Sequence, residues 1–254
     1  MESPEELARK NFGARAEYYT RSASHTDPQI LARVVDVARP QTQWRVLDVA
    51  TGAGHTAFAL APRVANVTAI DLTPEMLGEA KKLAAELQMS NVEFQIADIH
   101  ALPFPDGSFD LLTCRRAAHH FSNIAKALSE MHRVLTPGGR LVIDDRSVPE
   151  DDFVDKTMNQ LDWLHDESHI RQYRASEWER MLREHHFGIE VIEPYSRSRP
   201  LTSLTKDVTS ENVAKIHAIL NGLDGAQRQA LGFAKVDSQD HIYHWYVLIS
   251  ATRS

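Results

Sequence analysis

Apolar positions along the chain alternate between two spacings. Ile30, Leu31, Val34, Val35 and Val37 recur at helical intervals over residues 28–38, and Pro40 ends that helix. Ahead of it, Ser3-Pro4-Glu5-Glu6 combines a capping serine, a first-turn proline and N-terminal acids, which predicts a helix reaching about Tyr19. From Val46 the pattern becomes strand-like: Val46, Leu47 and Val49 make a short β-rich run, and the alanine-rich stretch after Gly52 and Gly54 opens a helix. A second strand over residues 67–70 ends at Asp71, and Thr73-Pro74-Glu75-Met76 starts a helix expected to run to about Leu87. Further strands are predicted over residues 92–97, 109–114 and 140–144. A turn-rich connection at 102–107 and a helix over 123–135, stopped by Thr136-Pro137-Gly138-Gly139, separate them.

Strands alternating with helices predict an α/β fold, a parallel, doubly wound sheet covered on both faces, with its ligand crevice beyond the strand carboxyl ends. The remainder supplies a largely helical stretch over 148–169, a helix from Ser176 and a strand over 189–192. An insertion with a helix over 210–220, expected to act as a substrate lid, precedes a last strand over 241–250. We expect one domain over 1–254, with an N-terminal helical cap (1–43), a core (44–145) and lid elements plus the last strands (146–254). Phe12, Tyr18 and Tyr19 lie where the cap can fold over a ligand.

Composition narrows the function. A chain of 254 residues with 43% hydrophobic content can bury a substantial core, and its formal charge of -7 disfavours a general nucleic-acid binder. Arg115 and Arg116 are left for a small anionic group or the surface. Cys114 is the only cysteine, which excludes an internal disulfide and a thiolate zinc framework; it reads as a buried strand thiol in a reducing, cytoplasmic setting. No apolar run approaches membrane-spanning length, so no membrane insertion is expected, and the first ten residues are too acidic and polar for a signal peptide. The expected partner is a small-molecule substrate, with the chain a monomer or homodimer.

Chemistry concentrates at the strand ends. Gly52, Gly54 and Ala57 fit G-x-G-x-x-A, and Asp71 follows at a distance suited to a ribose-binding carboxylate, a pattern that an NAD-dependent oxidoreductase would share. Asp48 favours another choice, because its charge disfavours a pyrophosphate and suits a cation such as the ammonium or sulfonium of S-adenosyl-L-methionine. Asp48 also suits the ordinary role of accepting N–H bonds within its turn. Asp98, Arg115 and Asp145 occupy equivalent strand-end positions. Asp144 and Asp145 are adjacent acids, but neighbouring strand residues face opposite sides, so no metal is expected there.

Four segments in order, V-L-D-V-A-T-G-A-G, A-I-D-L-T-P-E-M-L, Q-I-A-D-I-H-A-L-P-F-P-D-G-S-F-D and R-V-L-T-P-G-G-R-L-V-I, carry a family likeness over roughly residues 44–145. They resemble class I S-adenosylmethionine-dependent methyltransferases, in the small-molecule group related to the ubiquinone/menaquinone-biosynthesis methyltransferases. F-G-A-R-A-E-Y-Y and R-R-A-A-H-H-F extend the resemblance to a bacterial subgroup. It implies a Rossmann-like, seven-stranded sheet, mostly parallel with an antiparallel last strand. It also implies that Gly52 and Gly54 admit the methionine portion and ribose, with Asp48 and Ala50 nearby. By the same resemblance Asp71 accepts both ribose hydroxyls, Leu72 packs on the adenine, and Asp98 accepts the adenine amino hydrogen with Ile99 against the ring. Arg115 then lies near the methionine carboxylate or its backbone contacts.

The implied reaction is methyl transfer to an oxygen, carbon or nitrogen of a small, partly hydrophobic metabolite. The competing readings are a cofactor-binding protein of this fold without transfer, and an NAD-dependent oxidoreductase. His119 and His120 follow the fourth predicted strand and are the base candidates, His119 foremost, with helix packing as the competing role; His55, His165 and His169 are weaker. Trp163, Tyr173, Tyr195 and Trp245 are expected to help line the acceptor site.

Overall fold

β1 (Arg45–Val49) lies in the middle of the sheet, hydrogen-bonded in parallel to β2 (Asn66–Asp71) on one side and β4 (Phe109–Arg115) on the other. In the computed structural model, which describes residues 3–22 and 25–254, Val46, Leu47 and Val49 are almost wholly buried. Strand alternation divides them. Leu47 and Val49 pack on one face with Leu112, Leu128, Met131 and Trp178, while Val46 packs on the other with Val34, Ala38, Leu60 and Leu111. A central strand read as a nearly continuous apolar run is what helices on both faces require.

The sheet path continues with β3 (Val92–Ile96), β5 (Leu135–Val148), β7 (Phe187–Pro200) and β9 (Gln239–Arg253), in the order β3-β2-β1-β4-β5-β9-β7. β9 runs antiparallel to both β5 and β7. The expected seven-stranded path with an antiparallel last strand is therefore present, with short β6 (Tyr173–Arg174) and β8 (Ala234–Val236) added beside it.

Several boundaries differ from expectation. The first helix does not run unbroken to Tyr19: α1 (Pro4–Ala14) and α2 (Ala16–Arg21) meet at Arg15, whose backbone leaves helical geometry at φ −117° and ψ 13°. Gly13 lies just before this break, where an added Cβ would stand 3.1 Å from Glu75 Oε2; glycine both weakens the helix and permits that approach. β7 is far longer than residues 189–192, because β9 pairs with it from Phe187↔Arg253 to Pro200↔His241. Pro194 and Pro200 hide it from pattern reading, yet β7 is the edge of the path, where a missing N–H is tolerated.

α3 (Pro28–Ala38), α4 (His55–Leu60), α5 (Pro74–Glu86) and α6 (Ile124–Val134) flank the parallel strands, and α8 (Ala175–Glu184) buries Trp178 against the sheet. A separate apolar cluster joins α7 (Asp152–His165), α9 (Thr202–Thr205) and α10 (Ser210–Asn221) through Met158, Leu161, Leu204, Ile216 and Leu220. α11 (Gly225–Ala230) completes the insertion between β7 and β8. Among the described residues, no helix is long and apolar enough to cross a membrane.

Candidate active site

Leaving β1, the chain turns through left-handed backbone at Ala50 (φ +49°), Gly52 (φ +55°) and Gly54 (φ +87°). A Cβ at Gly54 would lie 2.5 Å from the Phe58 ring, so this position needs glycine for both its angle and its space. Asp48 fastens the turn from below: its Oδ1 accepts from Thr113 Oγ1 and its Oδ2 from Thr51 Oγ1, each at 2.6 Å. Burial pushes the Asp48 carboxyl upward in pKa, against these bonds. Asp71, at the end of β2, joins two loops by accepting from the Gly52 N–H on Oδ2 (2.8 Å) and the Thr73 N–H on Oδ1 (2.9 Å). Its pKa is likewise raised by burial.

The strand ends enclose an inner cavity of about 140 Å³. Asp48, Ala50, Gly52, Asp71, Leu72, Asp98, Ile99 and Arg115 line it, whereas Gly54 stands outside the lining and shapes the turn. Asp98 accepts from the His100 backbone N–H and faces His100 Nδ1 through the same Oδ1, each at 2.8 Å, and among the described residues no hydrogen bond reaches its Oδ2. Arg115 donates Nε to Thr56 Oγ1 (2.9 Å) and Nη2 to the His25 carbonyl (2.8 Å). Its Nη1 is buried with no hydrogen-bond partner among the described residues. Phe12 and Tyr19, from α1 and α2, close the cavity from above with His25.

An outer cavity of about 400 Å³ shares Phe12, Tyr19, His25, Arg116 and His120 with the inner one. His119 lines only the outer cavity. Its Nδ1 is 2.6 Å from Asp145 Oδ1, and its backbone N–H donates to Asp145 Oδ2 at 2.8 Å. Burial, then the neighbouring His120, His169 and Arg146, holds the His119 pKa well below its ordinary value. Burial raises Asp145 to about 6. A ring kept neutral near pH 7, with its Nδ1 proton directed at Asp145, leaves Nε2 as the basic nitrogen. His120 instead packs edge-on against Phe12, its Nδ1 3.1 Å from both the Ser168 carbonyl and Oγ. His55 lines the inner cavity; His165 and His169 line the outer one.

Asp144 and Asp145 diverge to opposite faces. Asp144 accepts from Arg116 Nε (3.1 Å) and Tyr195 Oη (2.6 Å), and the Arg116 guanidinium lies 3.6 Å from the Tyr246 ring centroid. Arg116 is thus a buried ion-pair partner and not a surface residue. Among the described residues, no group of three or more metal-ligating side chains converges. Cys114 is free and buried, as its apolar neighbours suggest.

The acceptor-lining aromatics need correction. Trp163, Tyr173, Tyr195 and Trp245 line neither cavity: Trp163 is exposed, Tyr173 packs on Trp178, Tyr195 stacks on Tyr246, and Trp245 contacts Tyr243. Phe12, Tyr18, Tyr19 and Tyr246 line the outer cavity instead. The first three were legible as cap residues. Tyr246, Arg146 and Arg199 had no local signal, and Asp145, legible as a strand-end acid, gave no sign of its pairing with His119, since contacts across the sheet or around the cavity bring these groups together.

A doubly wound sheet whose cavity opens at the ends of β1 to β4, with carboxylates at Asp48, Asp71 and Asp98, defines an α/β enzyme of the nucleoside-cofactor-binding class. Residues 41–194 match the family described as methyltransferase domain, and the chain belongs to that family. It is an enzyme of the class I methyltransferase group related to the ubiquinone/menaquinone methyltransferases, with S-adenosyl-L-methionine as its cofactor. The uncharacterized methyltransferase YcgJ of Bacillus subtilis is 39% identical over 185 residues, 73% of each chain. Its crystal structure superposes with TM-score 0.83 at 33% identity, covering 88% of this chain and 97% of that one. A putative methyltransferase from Bacillus halodurans gives the same TM-score and identity, covering 88% and 98%. A demethylmenaquinone methyltransferase of Thermus thermophilus is 45% identical over 113 residues, 44% of this chain and 51% of the relative.

Proposed function

We propose that this methyltransferase acts on a small, partly hydrophobic metabolite held in the outer cavity, methylating an oxygen, carbon or nitrogen with His119 as proton acceptor. The observation that supports this reading is the shared wall of the two cavities: the inner one, lined by the strand-end carboxylates, adjoins an outer one that bears the buried His119–Asp145 pair.

The inner cavity suits the cofactor on its own geometry. The buried, unpartnered Nη1 of Arg115 is a donor awaiting an acceptor, such as the methionine carboxylate. Gly52 presents bare backbone to the cavity, and a side chain there is disfavoured both by φ +55° and by a Cβ position 3.1 Å from Met76 Cε. Asp71, whose two oxygens each accept one backbone N–H and keep a second lone pair, and Asp98 line the cavity as acceptors for the ribose hydroxyls and the adenine amino group, with Leu72 and Ile99 against the ring. Asp48 has both oxygens engaged by threonines, so it serves by holding the turn and by lending a buried acidic group beneath it. When bound, S-adenosylmethionine supplies a methyl group on a positively charged sulfur.

The protein's share of the chemistry is positioning, exclusion of water and proton removal. Phe12 and Tyr19 from the cap (1–43) shield the junction of the cavities, which keeps the reacting atoms dry and aligned. Asp145 orients the His119 ring and stabilises the imidazolium formed as Nε2 takes a proton from a phenol, enol or carbon acid. Elements within 146–254 complete the acceptor wall, His165, Thr202 and Ser203 among its lining.

The test is incubation of the purified protein and S-adenosylmethionine with a fractionated metabolite extract, followed by mass spectrometry. S-adenosylhomocysteine and a product one methylene heavier than its precursor should appear together. Binding of the cofactor, seen as a rise in Tm, with no product from any fraction would favour a non-transferring protein. Stabilisation by NAD but not by S-adenosylmethionine would overturn the cofactor assignment.

A further inference from the structure

The outer cavity has a charge pattern opposite to that of the chain. Five cationic side chains line it, Arg15, Arg116, Arg146, Arg199 and Lys206, against the carboxylates of Asp162, Asp166 and Asp207, in a protein of formal charge -7. Two of the cations are internally compensated: Arg116 pairs with Asp144 at 3.1 Å and Arg146 with Asp162 at 2.5 Å. The others have no carboxylate partner among the described residues. Arg15 donates to the Asp207 backbone carbonyl at 2.7 Å, and Lys206 lies 4.8 Å from the Tyr18 ring centroid. The Arg199 side chain, near the end of β7, has no hydrogen bond, ion pair or ring contact among the described residues, although it lines the cavity and is only partly exposed.

We infer that the methyl acceptor carries an oxyanion, a carboxylate or a phosphate, which docks on Arg199 in the outer cavity. This rests on the reading of the outer cavity as the acceptor site. A guanidinium fork matches the paired oxygens of either group, and a charge held in a partly enclosed cavity without a counter-ion is best satisfied by a ligand that brings one. Tyr246 lies in the field of the same groups. Burial raises its pKa, but Arg116, Arg146 and Arg199 together outweigh burial and leave the phenol below its ordinary value. Three guanidinium groups therefore act on one wall of the cavity, two already paired and the third available. His119 belongs to the same cavity, so the acceptor presents its anionic group to Arg199 and its proton-bearing atom to His119.

The test uses full-length protein saturated with S-adenosylhomocysteine, whose own affinity is measured first. Calorimetric titrations with sodium benzoate, sodium pyrophosphate and neutral benzyl alcohol follow, on the wild type, Arg199→Ala and Arg199→Lys. One of the two anions should bind while the alcohol does not, and the preferred anion tells a carboxylate acceptor from a phosphorylated one. Arg199→Ala should weaken that binding by at least about tenfold, and Arg199→Lys should retain part of it. S-adenosylhomocysteine affinity and Tm should stay unchanged. Absence of binding by both anions to the wild type, or equal anion affinity in Arg199→Ala, overturns the inference while leaving the methyltransferase reading intact. Loss of S-adenosylhomocysteine binding in the wild type would instead strike that reading, and the same titrations on cofactor-free protein would still decide the anion site.

Discussion

Asp145 is wholly buried and touches His119 twice, once through the ring and once through the backbone. That double contact fixes which ring nitrogen is left basic, so the proposed chemistry hangs on geometry more than on histidine's intrinsic titration. Replacing His119 by Ala should lower turnover by about 10²–10⁴-fold, the usual range for loss of a general base, while S-adenosylhomocysteine affinity is retained. Turnover by single-turnover assay and affinity by calorimetry separate the two effects; unchanged turnover at every pH would remove His119 from the mechanism. At this scale legibility was uneven. Asp71 and Asp98 could be read because Asp71 ends β2 and Asp98 follows β3 by two residues, where side chains face the crevice. Arg116 could not: its partner Asp144 lies on the neighbouring strand, and burial of the pair is invisible in the local string R-R-A-A.

The cap formed by α1 and α2 contributes little to the core and much to enclosure. α1 has no fully buried residue and α2 only Ala16, yet Glu5, Arg9, Phe12 and Tyr19 line the inner cavity. Removal of residues 1–22 should therefore leave the sheet folded, with far-UV circular dichroism showing its strands and the helices α3 to α11, but weaken S-adenosylhomocysteine binding by about tenfold or more as water gains access. Full affinity in the truncated chain would show that the cap is not a wall of the site. Among the other elements, α3 and α5 have ends marked by proline at the first turn, and the structure keeps those ends. α4 is only six residues and gives way to a 3₁₀ turn containing Pro62, so the helix after the glycine turn is shorter than its alanine-rich sequence suggests.

Over the whole molecule, burial sets how stability responds to acid. His25, His119 and His244 are all held well below the ordinary histidine pKa, chiefly by burial. The native state refuses protons that the unfolded chain accepts, so their contribution is complete above pH 6.5 and is lost as pH falls below it. Asp145 works in the other direction: raised from 3.8 to about 6, it keeps its proton in the native state and costs stability as pH rises through that window. The urea midpoint should fall between pH 7 and 6, where the three histidines outweigh the proton uptake that begins at Asp145, and Asp145→Asn should steepen the fall, most of all between about pH 6 and 4. A midpoint independent of pH over that range would show that these groups are solvated in solution. The same long-range packing marks the limit of what the chain reveals locally. Alternating apolar periods, capping residues and the glycine turn determined the order of the core elements and the strand-end carboxylates, because each depends on neighbours a few positions away. The length of the proline-bearing edge strand β7, the His119–Asp145 and Arg116–Asp144 pairs and the cationic outer cavity were decided only by the tertiary structure, because each arises when distant segments are buried against one another.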